Sequence, residues 1–293
     1  MKNTMTAPTQ HTLDVPGAVL AYDIRRNDAS TEPILFLIGS PMGAAGFGTL
    51  AGYFGDRTVV TYDPRGSERS TKADPTTEST PDEHADDLHR IIQAIGGGPV
   101  DLFASSGGAV NALTLVAKHP EDVRTLVAHE PPAASALPDR ENAQAAARAV
   151  NETYKRSGWG AGMAHFIAVV SHRGPLTAGM ASQPAPDPQM FGMPTEDDGS
   201  RTDVLLAQNI ITGTQYELDF GALRRASTRI VMAAGIEGEG TMANRGAKEV
   251  ARRLEMEPVL FPSHHGGFLG GEYGQTGKPD EFAAKLRDVL AGA

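Results

Sequence analysis

The sequence predicts a protein of the α/β class, with a mostly parallel β-sheet flanked by helices. Short apolar runs bounded by Gly, Pro or Asp recur along the chain, and amphipathic helical patterns lie between them. Strands that alternate with helices pair in parallel through right-handed crossovers. A chain of 293 residues that is 40% hydrophobic can bury one large core, with room for an insertion.

The elements are predicted in chain order from these patterns. The opening segment TLDVPGAVLAYDIRR has short alternating stretches around a Pro-Gly pair, which predicts an antiparallel hairpin at one sheet edge. Strands buried on both faces are predicted at 33–40, 57–66, 99–106, 123–130, 228–235 and 258–263. Helices are predicted at 80–96, 107–119, 241–254 and 279–291.

The alternation breaks between Pro131 and Leu223. Ala-rich helical stretches there precede the Pro-rich passage SQPAPDPQMFGMP, which is too short to link independent domains. We therefore predict a core made of residues 1–131 and 223–293, with a helical cap at 132–222 inserted after the strand that follows the helix at 107–119.

Charge and composition narrow the class of function. The net charge is −10 and no Lys/Arg cluster exceeds a pair, so we do not expect nucleic acid or a membrane as a partner. We expect a small-molecule substrate instead. The absence of cysteine excludes disulfides, thiolate catalysis and Cys-based metal sites. Because the start lacks an apolar leader and no run approaches the ~20 residues of a membrane span, we expect a cytoplasmic protein.

Two adjacent serines in LFASSGGAV raise the question of a nucleophile. On the tight strand-to-helix turn called a nucleophile elbow, the residues two before and two after the nucleophile must be small. Ala104 and Gly108 meet this requirement for Ser106, whereas Ser105 would place Phe103 in the turn. We therefore predict Ser106 as the nucleophile, against the alternative of a Gly/Ser turn that only packs a helix on a sheet.

Together with three further segments, this motif resembles the α/β-hydrolase-fold superfamily, in its capped serine hydrolase, esterase-like branch. The resemblance covers nearly the whole chain apart from the cap. The other segments are LFLIGSPMG at 35–43, YDPRGSERS at 62–70 and FPSHHGGFLG at 261–270.

The resemblance implies an oxyanion hole formed by the backbone N–H groups of Ser40 and Gly107. The chain departs from the family pattern at Ala104, where glycine is usual, at Ile38, where histidine is common, and at Glu68, where a second glycine is frequent. The segment at 62–70 supports the fold rather than the mechanism.

A serine needs a base to become a nucleophile at neutral pH, and histidine can take the proton and return it. In the family, the catalytic histidine lies in the loop after the last strand, and alignment of FPSHHGGFLG places it at His265. His264 is then a neighbour that shapes the loop.

Two positions are open for the acid that orients the histidine. The common position in the family follows the penultimate strand, where AAGIEGEG has Gly238 at the matching place, flanked by Glu237 and Glu239. The alternative, used by some haloalkane dehalogenases and their relatives, is the end of the strand after the nucleophile helix, where Glu130 lies. We favour Glu130 and keep Glu237 as the alternative.

The segment from His84 to His89, with Asp86 and Asp87 between the histidines, could suggest a metal site. Residues five apart diverge around a helix, so we interpret this segment as a solvated helix face. No metal and no organic cofactor are predicted.

The cap contains Trp159, Met163 and Phe166, which suggest an apolar acyl or ring substrate, although most side chains of this kind pack a cap onto its core. The predicted function is a serine hydrolase that cleaves an ester, lactone or thioester of a small apolar molecule through an acyl-enzyme. The alternatives are a cofactor-free non-hydrolytic or C–C bond-cleaving enzyme of the same fold, and a hydrolase-like ligand-binding protein. The oligomeric state is left open, a homodimer included.

Overall fold

The computed structural model describes residues 7–96 and 98–292, and a single mixed sheet organises this part of the chain. The first six residues, on which part of the expectation of a missing leader rests, lie outside the described residues. The strands are β1 (Thr9–Val15), β2 (Ala18–Arg25), β3 (Leu35–Ile38), β4 (Val59–Tyr62), β5 (Thr71–Lys72), β6 (Val100–Ser105), β7 (Val123–His129), β8 (Arg229–Gly235) and β9 (Val259–Phe261).

The strand order is β1-β2-β4-β3-β6-β7-β8-β9, with β5 paired to β2. Strands β3, β4 and β6 to β9 are parallel to one another, whereas β1, β2 and β5 form the antiparallel part of the sheet. The hairpin predicted around Pro16-Gly17 is confirmed, because β1 pairs with β2 from Thr9↔Ile24 to Val15↔Ala18.

Helices cover both faces of the sheet, which confirms the predicted fold class. One face packs against α2 (Pro81–Ile95), α3 (Gly107–Lys118) and α7 (Met242–Arg253), and the other against α1 (Gly48–Gly52) and α8 (Pro279–Ala291). Alternate side chains of the central strands point to opposite faces of the sheet. Phe36 and Leu102 pack against the first set of helices, and Leu35 and Phe103 pack against the second. This burial on both sides explains the unbroken apolar runs in the sequence.

The expectation that residues 258–263 form a strand buried on both faces is wrong. Among the described residues, strand β9 is the edge of the sheet and pairs only with β8, and the Leu260 side chain is 51% exposed. A short apolar run looks the same in sequence whether it lies at the edge or in the middle of a sheet, because the apolar pattern does not record how many neighbouring strands it has.

A helical layer lies between β7 and β8 in the sequence. Its main element is α4 (Arg140–Ser171), which is interrupted at Gly158, where φ is 83° and ψ is −175°. A π-helical turn at Val204–Asn209 leads into α5 (Ile210–Thr214), and α6 (Phe220–Arg225) returns to the core. The predicted boundary between residues 222 and 223 falls inside α6, whose Leu223 already packs in the core of the sheet.

Buried polar contacts fix the loops that follow β3 and β4. The Asp63 carboxylate accepts the Ala44 N–H at 2.7 Å and the Arg69 guanidinium at 2.6 Å, and so joins the two loops. Arg65 forms a two-point ion pair with the fully buried Asp87 of α2. The loop that carries Ser40 is therefore fixed against the loop that follows β4.

No helix in the described ranges combines the length and the apolar character that a membrane crossing requires.

The close approach of α3 to the end of β3 predicts a large cost for a single methyl group. A Cβ atom at Gly108 would lie 2.8 Å from the backbone C and Cα of Gly39, whereas a Cβ atom at Gly52 would meet nothing within 4 Å. We expect Gly108→Ala to lower the free energy of unfolding by about 1–3 kcal/mol, because backbone must move to accommodate it. Gly52→Ala is the matched control and should raise it by up to about 1 kcal/mol.

Urea denaturation of the two variants checks this prediction. Equal stability of Gly108→Ala and Gly52→Ala would contradict the tight packing of α3 on β3.

Candidate active site

Ser106 occupies a strained turn between β6 and α3. Its φ of 57° and ψ of −131° lie in a region that residues other than glycine rarely adopt. Its backbone N–H donates to the carbonyl of His129 at 3.0 Å, which ties the turn to the end of β7. The next residue must be small, because a Cβ atom at Gly107 would lie 2.7 Å from the Ser40 carbonyl oxygen. The turn thus lifts the Ser106 side chain out of the sheet and into a cavity.

Ser105 has a different environment from its neighbour. It is the last residue of β6, only 2% exposed, and its hydroxyl is 3.1 Å from Nδ1 of His129 on the adjacent strand. Burial lowers the pKa of His129 to about 4, so the imidazole is neutral at pH 7. Ser105 is therefore a buried member of the sheet, and Ser106 alone of the two sits on the turn.

The two predicted oxyanion-hole residues are neighbours, since the Ser40 carbonyl abuts Gly107. Gly107 is the first residue of α3, where the N–H has no partner within the helix. Within the described ranges, we find no hydrogen bond from the backbone N–H of Ser40 or Gly107. The Ser40 hydroxyl accepts a hydrogen bond from the Asn209 amide at 3.1 Å, so the helical layer contacts this loop directly.

Glu130 and His265 are joined by a hydrogen bond of 2.8 Å between Oε2 and Nδ1. Glu130 directly follows β7 and is fully buried. Its Oε1 accepts two further hydrogen bonds of 2.9 Å, from the Gly235 N–H and from the Asn244 side chain. Burial alone would raise the pKa of Glu130, but the hydrogen bond from His265 and the other neighbouring groups lower it from 4.5 to about 2. The carboxylate is therefore charged at neutral pH.

Glu237, the alternative acid, lines the same cavity as Ser106 but has a different partner. Its carboxylate pairs with Lys278 at 2.8 Å, and its side chain is 46% exposed. The hydrogen bond from Lys278 lowers the pKa of Glu237. Of the two carboxylates left open by the sequence, the structure brings Glu130 to His265 and brings Glu237 to a surface lysine. His264 lies beside His265, and its Nδ1 accepts the Gly266 N–H at 3.1 Å.

Two cavities meet at Ser106 and His265. The inner cavity, of about 630 Å³, is the more enclosed and runs between α3, α4 and α5. The outer cavity, of about 780 Å³, opens toward the loop after β9. Both are lined by Ser40, Ser106, His264 and His265, so a ligand that spans the two places its middle against the Ser106 side chain.

The predicted substrate-contacting residues divide between these cavities. Phe166 lines the inner cavity, and Trp159 and Met163 line the outer one. The Trp159 indole N–H donates to Asp203 at 3.1 Å, which fixes the ring. Met190, another apolar residue of the predicted cap, is 78% exposed and lines neither cavity.

The interpretation of His84 as part of a solvated helix face is wrong. His84 is 2% exposed and lines the inner cavity. It lies on the apolar face of α2, four residues before Leu88 and seven before Ile91, both fully buried.

His89 turns to a different part of the protein. Its Nδ1 is 2.6 Å from Asp122, and its ring stacks on that of His119 with a centroid distance of 4.0 Å. The three side chains bring candidate ligand atoms within 4.8 Å of one another. Because the two rings are nearly parallel, their in-plane lone pairs do not converge on one cation.

Some residues of the site were not identified from the sequence. Asn244, on α7, holds Glu130, and Asn111, on α3, lines the inner cavity together with His84. Asparagine is a poor helix former, so an asparagine inside a predicted helix was the available signal.

Comparison with known proteins agrees with this architecture. A family model described as the alpha/beta hydrolase fold matches residues 32–177. An uncharacterized hydrolase of Bacillus subtilis strain 168, YraK, is 31% identical over 285 residues, which cover 95% of each chain. The chain therefore belongs to the α/β-hydrolase family.

Solved structures show the same fold at low sequence identity. A carboxylesterase of the thaumarchaeon Nitrososphaera gargenis superposes with a TM-score of 0.66 at 18% identity, over 96% of this chain and 98% of its own. A thermophilic esterase of Thermogutta terrifontis gives a TM-score of 0.66 at 18% identity, over 98% and 99% of the two chains. MGS-M2, an α/β-hydrolase from a deep-sea metagenome, gives 0.69 at 16% identity, over 97% and 98%.

The low pKa of Glu130 predicts how stability depends on pH. A carboxyl group whose pKa is lower in the folded than in the unfolded chain stabilises the fold above its unfolded pKa, and this contribution is lost as the pH falls through the folded value. Between pH 6 and pH 2, we expect the wild type to lose about 3 kcal/mol of unfolding free energy that Glu130→Gln does not lose.

Urea denaturation at several pH values measures this difference. Glu237→Gln is the matched control and should follow the wild type closely, because its half-exposed carboxylate is screened by water. Parallel pH profiles for the wild type and Glu130→Gln would contradict the assignment of a low pKa to Glu130.

Proposed function

We propose that the protein is a serine hydrolase that cleaves the ester, lactone or thioester bond of a small apolar molecule through an acyl-enzyme. The observation that carries this proposal is the hydrogen bond between the buried Glu130 carboxylate and His265, in a loop that lines the same cavity as Ser106. A buried, charged carboxylate that holds a partly exposed histidine, in a cavity that a serine on a strained turn also lines, provides the groups that nucleophilic catalysis requires.

Glu130 has the role of fixing the tautomer of His265. Because the carboxylate accepts the proton on Nδ1, Nε2 is left with its lone pair free to act as a base. Nε2 takes the proton of the Ser106 hydroxyl as the serine oxygen attacks the substrate carbonyl, and then returns it to the leaving group. The nearby Glu130 charge stabilises the imidazolium that forms in between.

The N–H groups of Ser40 and Gly107 hold the negative charge that develops on the substrate oxygen. Both are backbone donors in fixed positions next to the nucleophile, so they need no reorganisation during the reaction. The positive end of the α3 dipole adds to this stabilisation. Water then attacks the acyl-enzyme with His265 as the base, which frees the acid and restores Ser106.

The shapes of the two cavities favour one orientation of the substrate. We assign the acyl group to the inner, more enclosed cavity, with Phe166, Ile167 and Ile210 on its walls, and the leaving group to the outer one. The enclosed side keeps the acyl chain in an apolar environment, while the open side gives water a path to the acyl-enzyme. The carboxylesterase and esterase folds among the solved structures are consistent with this class of reaction.

A paired substitution of the two serines tests the choice of nucleophile. We expect a fluorophosphonate probe to add once to the wild type and once to Ser105→Ala, and not to add to Ser106→Ala. Turnover of p-nitrophenyl esters should follow the labelling, because removal of a triad nucleophile costs several orders of magnitude in kcat. Intact-mass spectrometry gives the adduct count, and labelling of Ser106→Ala at the wild-type rate would contradict the proposal.

A second pair of variants tests the acid. Glu130→Gln should lower kcat/KM for these esters at least about a hundredfold, because the histidine then loses its charged partner. Glu237→Gln should change it by less than about threefold, since its partner is Lys278. Steady-state kinetics on both purified variants decide the assignment, and a larger loss in Glu237→Gln would reverse it.

A further inference from the structure

We propose that the inner cavity contains a polar subsite, made by His84 and Asn111, that binds an oxo or hydroxyl oxygen on the acyl group of the substrate. The inference rests on the proposed function, because it assumes that an acyl group occupies this cavity. It adds a substrate class, namely acyl groups that carry a neutral oxygen several bonds beyond the carbonyl that Ser106 attacks.

The subsite is suggested by polar atoms that have no protein partner. His84 is 2% exposed and Asn111 is 3% exposed, and both line the inner cavity. Neither ring nitrogen of His84, nor the Nδ2 of Asn111, forms a hydrogen bond with any of the described residues. Buried donors and acceptors in folded proteins are nearly always paired, because leaving one unpaired is costly. These nitrogen atoms have almost no accessible surface, so the side chains must turn toward the cavity when they bind a ligand oxygen. Two such unpaired side chains on one cavity wall point to that ligand.

The surroundings contrast with this polar pair. Most of the neighbouring wall is apolar, with Ile167, Val170 and Ile210 contributing to it. Thr214, which also lines the cavity, has its hydroxyl satisfied by the Ile210 carbonyl at 2.5 Å. Asn209, which also lines the cavity, has an unpaired Oδ1, but its amide nitrogen donates to the Ser40 hydroxyl. Among the described residues, His84 and Asn111 are therefore the lining side chains on the α2–α3 side with unpaired nitrogen atoms.

The chemistry of the two side chains defines the ligand atom. Burial, with the charges of Arg65 and Lys72, lowers the pKa of His84 to about 3, so its ring is neutral at pH 7 and offers one N–H donor and one acceptor. The Asn111 amide nitrogen offers donors only. A ketone oxygen can accept from both residues, and a hydroxyl group can in addition donate to the imidazole.

The position of Asn111 sets the distance from the reacting carbonyl. It lies four residues after Gly107 on α3, which is about one helical turn, or roughly 6 Å along the axis, from the start of the helix. An acyl chain bound to Ser106 therefore spans several carbon atoms before it reaches the subsite. A short apolar stretch followed by an oxygen fits the apolar walls and the polar pair.

The test compares p-nitrophenyl heptanoate with its 4-oxo, 5-oxo and 6-oxo derivatives. For the wild type, we expect kcat/KM for at least one oxo ester to exceed that for heptanoate by at least about tenfold, because that oxygen satisfies buried groups that the alkyl chain leaves unpaired. His84→Phe and Asn111→Leu should each bring this ratio to near one. Thr214→Val, which changes a satisfied polar group of the same cavity, should leave the ratio as it is in the wild type.

The outcomes separate the subsite from the reaction. Cleavage of heptanoate with no preference for any oxo ester overturns the subsite and leaves the hydrolase proposal standing, and this comparison needs no variant. A wild-type preference that survives in both His84→Phe and Asn111→Leu, with fluorophosphonate labelling showing that they fold, also overturns it. No cleavage of any ester, together with no labelling of the wild type, overturns the proposed function and with it the acyl subsite.

Discussion

A single buried carboxylate, that of Glu130, holds together the segments on which the site depends. It lies at the end of β7 and reaches the last residue of β8 through the Gly235 N–H, α7 through Asn244, and the loop after β9 through His265. A buried charge without partners would cost several kcal/mol, so the folded state is stable only when these donors are in place. The parallel sheet brings the carboxyl ends of β7, β8 and β9 to one edge, and the carboxylate then fixes their loops relative to one another.

The contrast between Ser105 and Ser106 follows from the same geometry. Ser105 continues the alternation of β6, two residues after Phe103, and pairs in register with His129 among aromatic rings. Ser106 leaves the strand with a positive φ, so the alternation stops at this residue and its hydroxyl enters the cavity. Contacts on both sides hold this strained turn in place. The His129 carbonyl at the end of β7 accepts the Ser106 N–H, and the Ser40 carbonyl leaves room only for glycine at position 107.

Much of this architecture was predictable because it rests on local patterns. Strands buried on both faces leave unbroken apolar runs, and the Pro16-Gly17 turn marks the antiparallel hairpin. The small residues around Ser106 distinguish it from Ser105, because the steric limit of the turn is set by residues close in sequence. These features need no knowledge of which distant segments meet.

The remaining features depend on contacts between distant segments. Sequence spacing left Glu130 and Glu237 both open, since the choice depends on which carboxylate the loop of His265 approaches and on the presence of Lys278 beside Glu237. The exposure of β9 depends on its place at the sheet edge, and the burial of His84 on the packing of α2 against the cavity. A pattern of residue types does not record these tertiary neighbours.

If Ser106 carries the acyl group during turnover, an acid quench should trap that group on the serine. The wild type would be mixed with p-nitrophenyl heptanoate, stopped in acid within the first turnovers, digested and mapped by mass spectrometry. We expect a heptanoyl group on the peptide that contains Ser106, with fragment ions that place it on Ser106 and not on Ser105. Burst release of p-nitrophenol with the acyl group on another residue, or steady turnover in Ser106→Ala at the wild-type rate, would contradict it.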